Sequence, residues 1–182
     1  MSSDLVNMKR VMRRLDLSDR NDVPTLKGKV ACSISAADEL LTTEILFSGM
    51  LTNLDPNQSA ALLSCLVYTD SKSENKIIKD EKLSQPFNQL QQVAERVATI
   101  MIDSKIPLDK EEYIKKFKPD IMELTYKWCQ GAKFKEICDL AEDIYEGTII
   151  RALRRLDELI SQLIESSKII GNMGLKNKFE EA

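Results

Sequence analysis

The sequence predicts an all-α protein, an antiparallel helical bundle that ends in one long helix, and three observations carry that prediction. Only 6 glycines and 5 prolines punctuate 182 residues, too few for the many turns of a β-sandwich. Residues that favour helices (Leu, Ala, Lys, Glu) abound, with Ile beside them. Two segments repeat apolar residues at alternating three- and four-residue spacing: Phe87, Leu90, Ala94, Val97, Met101, and Ile149, Leu153, Leu156, Ile160, Leu163. Such spacing puts each set on one face of a helix. Two such stripes in one chain point to an antiparallel bundle.

The elements follow in order. Leu5, Met8, Met12 and Leu15 predict a short amphipathic helix whose other face carries Lys9, Arg10, Arg13 and Arg14. Asp22-Val23-Pro24 ends it, and Lys27 to Ile34 reads as a short extended lead-in. Ser35, with Asp38 three residues on, predicts the start of a helix that runs through Phe47 and stops at Gly49. Asp55 as cap and Pro56 at the first position open the next helix, with Ala60, Leu63 and Val67 inward. The polar stretch Thr69–Lys82 predicts a mobile loop. Pro86 then opens the first striped helix, which Ile106-Pro107 breaks. Asp109 caps a short helix, and Lys118-Pro119 kinks or restarts it. Met122, Tyr126 and Cys129 give an apolar face that ends at Gly131, with Trp128 beside it as a core or interdomain anchor. Phe134–Leu140 is a short helix, and a Tyr145-Glu146-Gly147 turn leads into the long final helix, closed by Ile169, Ile170 and Gly171.

Composition excludes several functions. No apolar run approaches the ~18 residues needed to span a bilayer, and no signal segment opens the chain, so a soluble intracellular protein without membrane contact is expected. Cys32, Cys65, Cys129 and Cys138 are scattered in apolar contexts with no Cys-x-x-Cys pair. They predict buried thiols in a reducing compartment. The chain has no histidine, which removes the usual general base and the His-containing nucleophile pairs and metal sites. Neither a phosphate-binding Gly-Lys-Ser/Thr loop nor Gly-x-Gly-x-x-Gly is present. Asp38-Glu39 and Glu111-Glu112 sit at helix starts, where acids complement the macrodipole. No catalytic residue, cofactor site or metal site is read in this chain. A net charge of −3 and a pI near 5.2 restrict any nucleic-acid contact to a local patch.

That patch is the first turns of the long helix, where Arg151, Arg154 and Arg155 lie off the apolar stripe. Cations near a helix start are mildly unfavourable. Two readings stand: the arginines hold an anionic ligand, or they are solvated and paired with Glu146, Asp157 and Glu158. Geometry alone leans to pairing, since most surface charge needs no ligand. Phe134–Arg155 also has the outline of a helix-turn-helix, which any αα-hairpin shares; the acidic pI disfavours a duplex-DNA binder.

Specific motifs go further. Lys27-Gly28-Lys29-Val30-Ala31-Cys32, Ser35-Ala36-Ala37-Asp38-Glu39-Leu40-Leu41 and Glu44-Ile45-Leu46-Phe47-Ser48-Gly49 begin a pattern. Ala60–Cys65, Phe117-Lys118-Pro119, Tyr126–Ala132, Tyr145–Leu156 and Ile170-Gly171-Asn172 continue it in order along nearly the whole chain. The pattern resembles the C-terminal helical (DSHCT) domain of superkiller-type DExH-box RNA helicases that serve the RNA exosome. Ala31-Cys32 and the Ser35–Leu40 wording are closer to the nuclear branch, the helicase of the TRAMP complex.

The resemblance implies residues 1–26 as a lead-in helix and linker returning from an upstream insertion, and residues 27–182 as the helical bundle. It implies two RecA-like motor domains, with their ATP and Mg, elsewhere in the parent polypeptide. It implies nuclear RNA processing with single-stranded RNA, the exosome and adaptor proteins as partners. The long helix would act as a ratchet on the RNA exit channel: Arg151 matches the family's RNA-contacting arginine, and Arg154 and Arg155 match further basic positions. Lys9, Arg10, Arg13 and Arg14 match family residues that pack and pair against neighbouring domains. Where the family often carries acids facing the RNA, this chain reads Thr69-Asp70-Ser71-Lys72, so a contact from Asp70 does not carry over. The family's domain end is absent beyond Ala182, which implies a fragment. The alternative function is a scaffold that braces the motors or docks proteins without touching RNA.

Overall fold

Ten α-helices and one 3-10 turn make up the described residues of the computed structural model, which are 3–69, 77–141 and 143–182. Among them no sheet forms, only an isolated antiparallel bridge between Ser18 and Pro24. The helices are α1 (Ser3–Arg14), α2 (Leu26–Ser33), α3 (Glu39–Phe47), α4 (Pro56–Val67), α5 (Glu81–Asp103), α6 (Lys110–Lys115), α7 (Met122–Cys129), α8 (Phe134–Leu140), α9 (Glu146–Ile170) and α10 (Met173–Glu181). The all-α bundle is as the sequence predicts. No helix among the described residues is long and apolar enough to cross a membrane.

Helix α4 is the hub. Every residue from Ser59 to Val67 is buried, and α5, α7, α9 and α10 pack around it. Its start is the predicted one: Asp55 accepts from the Gln58 amide, Gln58 accepts in return from the Asp55 amide, and Pro56 follows the cap. The main core joins α2–α5, α7, α9 and α10 through residues such as Leu41, Ile45, Leu62, Leu90, Leu163 and Phe179. A second apolar cluster (Tyr68, Ile121, Leu124, Ile137, Ala141, Ile149, Ala152) lies under the start of α9. A third (Val11, Leu15, Leu17, Ala31) lies under α1.

Several expectations are corrected. Lys27 to Ile34 is helical. Thr25 caps α2 by accepting from the Gly28 amide, and a Cβ on Gly28 would lie 1.9 Å from the Leu17 carbonyl oxygen. Glycine lets that helix abut the Leu17 backbone, a tertiary contact that local pattern does not reveal. Asp38, not Ser35, caps α3. The Ser35 and Ala36 amides instead donate to Gln162 Oε1 of α9, at 2.9 and 3.1 Å.

Pro86 is buried inside α5, whose cap is Asp80. Proline cannot donate to the carbonyl four residues back, and Gln58 Nε2 fills that place at the Lys82 oxygen, 3.1 Å away. The expected loop over Thr69–Lys82 therefore ends before Glu81; Asp70 and the rest of 70–76 lie outside the described residues. Gly147 is not a break but lies in the first turn of α9, and α9 is not the last helix, since α10 folds back on α9 and α4.

Val11 of α1 and Leu15 just past its end are buried while Leu5, Met8 and Met12 are exposed, because this helix meets its neighbours along one narrow line. Trp128 is 43% exposed, edge-on to Phe134, and not a core anchor. Only Cys65 is a buried thiol, its pKa pushed up by burial. Cys32 is exposed, opposite the Val30–Ala31 side of α2, and Cys129 and Cys138 are half-buried.

Candidate nucleic-acid interface

Helix α9 buries Ile149, Ala152, Leu156, Leu159, Leu163 and Ser166, which alternate three and four apart. Of the predicted stripe, Leu153 and Ile160 are half-buried and flank this seam. Two independent seats fix the helix. Its second half sits in the main core and is tied to the α2–α3 segment. There Gln162 Nε2 donates to Ser35 Oγ at 3.0 Å, and Ser166 Oγ lies 3.0 Å from Ser33 Oγ. Its first half rests on the second cluster, over α7 and α8. The arginines thus project from a helix seated along both of its halves.

Arg151, Arg154 and Arg155 are all exposed, but their surroundings differ. Arg151 Nη2 donates to Thr148 Oγ1 at 3.1 Å, a contact one turn back along the helix. Arg154 has no hydrogen bond or ion pair among the described residues. Arg155 is anchored: its Nε donates to the Ala36 carbonyl at 2.8 Å. Glu146, Asp157 and Glu158 form no ion pair with any of the three among the described residues.

Arg151 and Arg155 line an open groove of about 290 Å³ with Thr148, Ala152 and the end of α4 at Val67, Tyr68 and Thr69. A helix C-terminus carries partial negative charge, so the end of α4 offsets part of the cost of cations near the start of α9. The arginines are thereby positioned with no carboxylate among the described residues neutralising them. Their donor groups remain available to phosphate oxygens, which guanidinium planes match bidentately.

The structure brings Arg151 and Arg155 to one groove and leaves Arg154 exposed outside its lining; all three are residues that sequence reasoning singles out. That reasoning misses Thr148, whose signal was its position three residues before Arg151, and the Ala36 carbonyl, which no local signal reveals.

The other basic helix is different. On α1, Lys9 and Arg13 both bind Asp22 at 2.7 Å, and Arg14 reaches Asp103 at 3.3 Å. Arg10 donates to Asn7 at 3.4 Å. The neighbouring cations hold the Asp22 carboxyl below its ordinary value.

Comparison with known proteins agrees with this architecture. Residues 21–182 match the DSHCT (NUC185) domain. The chain is 48% identical over 179 residues, 98% of its length, to the ATP-dependent RNA helicase mtr4 of Schizosaccharomyces pombe. It is 45% identical over 173 residues, 95% of its length, to the human exosome RNA helicase MTR4. It is 42% identical over 179 residues, again 98% of its length, to DExH9 of Arabidopsis thaliana, a DExH-box ATP-dependent RNA helicase. It spans only 16–18% of the length of these relatives. The chain belongs to the DSHCT (NUC185) family, as the DSHCT domain of the Mtr4-like DExH-box RNA helicases.

Proposed function

We propose that this chain is the part of an exosome-associated, ATP-dependent RNA helicase that lines the exit path of single-stranded RNA and assists its translocation in the nucleus. The observation that carries the reading is the state of the α9 arginines: exposed, on a helix packed along both halves and without a carboxylate partner among the described residues. The relatives, an ATP-dependent RNA helicase and an exosome RNA helicase, supply the class of polymer and the assembly. ATP and Mg would be handled by motor domains elsewhere in the parent polypeptide. Arg151 and Arg154 hold backbone phosphates while the motors advance the strand. Arg155, tied to Ala36 through Nε, offers its remaining guanidinium donors to the groove. The contact resists backward slip, so energy released by hydrolysis becomes directed movement.

In the full-length protein, Arg151→Ala is expected to reduce RNA unwinding more than RNA-stimulated ATP hydrolysis. Equal loss of both, or of neither, would contradict the ratchet role. One observation favours the scaffold reading: Leu5, Met8 and Met12 form an exposed apolar row on α1, a surface suited to a covering protein. The two readings separate on Arg151→Ala, which a pure scaffold tolerates.

A further inference from the structure

Tyr145 stands at the cap position of α9 and is 77% exposed, more than any other of the ten aromatic side chains in the chain. Two local features of this turn run against helix stability. Tyrosine is not among the residues that cap helices well, and Tyr145 makes no side-chain cap bond. Glycine in the first turn is conformationally costly relative to alanine. Both are accounted for by the placement of the ring. A Cβ on Gly147 would lie 2.7 Å from Tyr145 Cε1 and 3.2 Å from Cδ1. The bare Gly147 backbone is therefore the seat on which the ring lies, and the rest of the ring is open to solvent.

The seat is continuous with the arginine site. The Thr148 amide donates to the Tyr145 carbonyl at 2.8 Å, and the Thr148 hydroxyl receives Arg151 Nη2. Tyr145, Thr148 and Arg151 thus form one ridge, with an open aromatic at one end and, at the other, a guanidinium that no carboxylate among the described residues pairs. This pairing of a stacking surface with a phosphate-binding group is what single-stranded nucleic acid requires.

We propose that Tyr145 is a stacking platform for one unpaired base of the strand whose backbone Arg151 holds. The inference rests on the RNA-path reading above and adds to it a contact to the base, tolerant of sequence because every base has a π-face. Gly147 is the positioning residue: it acts only through the ring.

The test uses a uridine octamer and an octamer of the same sugar–phosphate backbone without bases, titrated into this chain at low salt. Wild type is expected to bind the octamer more tightly than the abasic strand. Tyr145→Ala should remove that difference by weakening only the octamer, by about 5- to 100-fold. Tyr145→Phe should keep it. Gly147→Ala should lower octamer affinity while leaving thermal stability no lower, an outcome that a merely structural role for the ring does not produce. Arg151→Ala should weaken both strands alike. If Tyr145→Ala binds both strands as wild type does while Arg151→Ala loses both, the platform is overturned and the arginine site stands. Wild type binding neither strand would overturn both.

Discussion

Helices α1 and α9 carry similar clusters of cations in opposite surroundings. On α1, Asp22 takes up Lys9 and Arg13 together, and Asp103 takes up Arg14 from the end of α5. On α9, Arg151 has a neutral hydroxyl, Arg155 a carbonyl and Arg154 no partner among the described residues. The difference lies in where the carboxylates are. Asp22 is held with φ near 64° just before α2, and Asp103 comes from a residue 89 positions away. The acids nearest to the α9 arginines in sequence do not reach them. Counting cations along a helix therefore says little; the placement of acids decides which cluster is neutralised among the described residues and which is not.

A third cationic site sets the upper end of that scale. Glu44 is buried at 4% exposure and bridges Lys27 of α2 to Arg96 of α5. Glu44→Ala should strand Lys27, which is itself mostly buried, and destabilise the fold by about 2–4 kcal/mol in urea unfolding. That lies toward the low side for breaking a buried pair because Arg96 reaches solvent. If stability is unchanged, acid placement does not govern these clusters.

Next in size is Arg151→Ala. It should weaken single-stranded RNA binding roughly tenfold, the scale of a charge-assisted hydrogen bond. It should leave stability within about 0.5 kcal/mol, since it removes no buried contact. A large stability loss with no change in binding would make α9 a structural helix like α1.

The smallest effect is expected at Asp22. Asp22→Asn releases Lys9 and Arg13, so thermal stability should drop slightly and RNA binding at low salt should rise. The pH dependence has a definite sign. The folded-state pKa of Asp22 is lowered from the ordinary 3.8, chiefly by the hydrogen bonds from Lys9 and Arg13. Its contribution is present above about pH 4 and is lost as pH falls through the lowered folded value. Thermal melts from pH 6 downward should show this acid-side loss in wild type and less of it in Asp22→Asn.

The fold class and most helix starts were legible because their signals are local. Asp55-Pro56, Asp109 and the stripes on α5 and α9 need no tertiary information. What was not legible came from groups distant in sequence. Gln58 satisfies the carbonyl that Pro86 leaves open, so a proline that reads as a helix start lies within a helix. Gln162 binds the amides that made Ser35 look like a cap. On α9, the exposure of the three arginines was legible from their position off the stripe; their role remains the proposal made above. The absence of acidic partners among the described residues, the anchoring of Arg155 to Ala36 and the ring of Tyr145 on Gly147 were not legible.

The most direct test of the account is the salt dependence of single-stranded RNA binding by this chain, compared for wild type, Arg151→Ala and Arg13→Ala. Each phosphate contact on a single strand contributes about 0.7 to the slope of log K against log salt. Arg151→Ala should flatten the slope by about that amount, and Arg13→Ala, already neutralised by Asp22, should leave it unchanged. A slope flattened by Arg13→Ala and untouched by Arg151→Ala would place the RNA on α1 and contradict the assignment of α9.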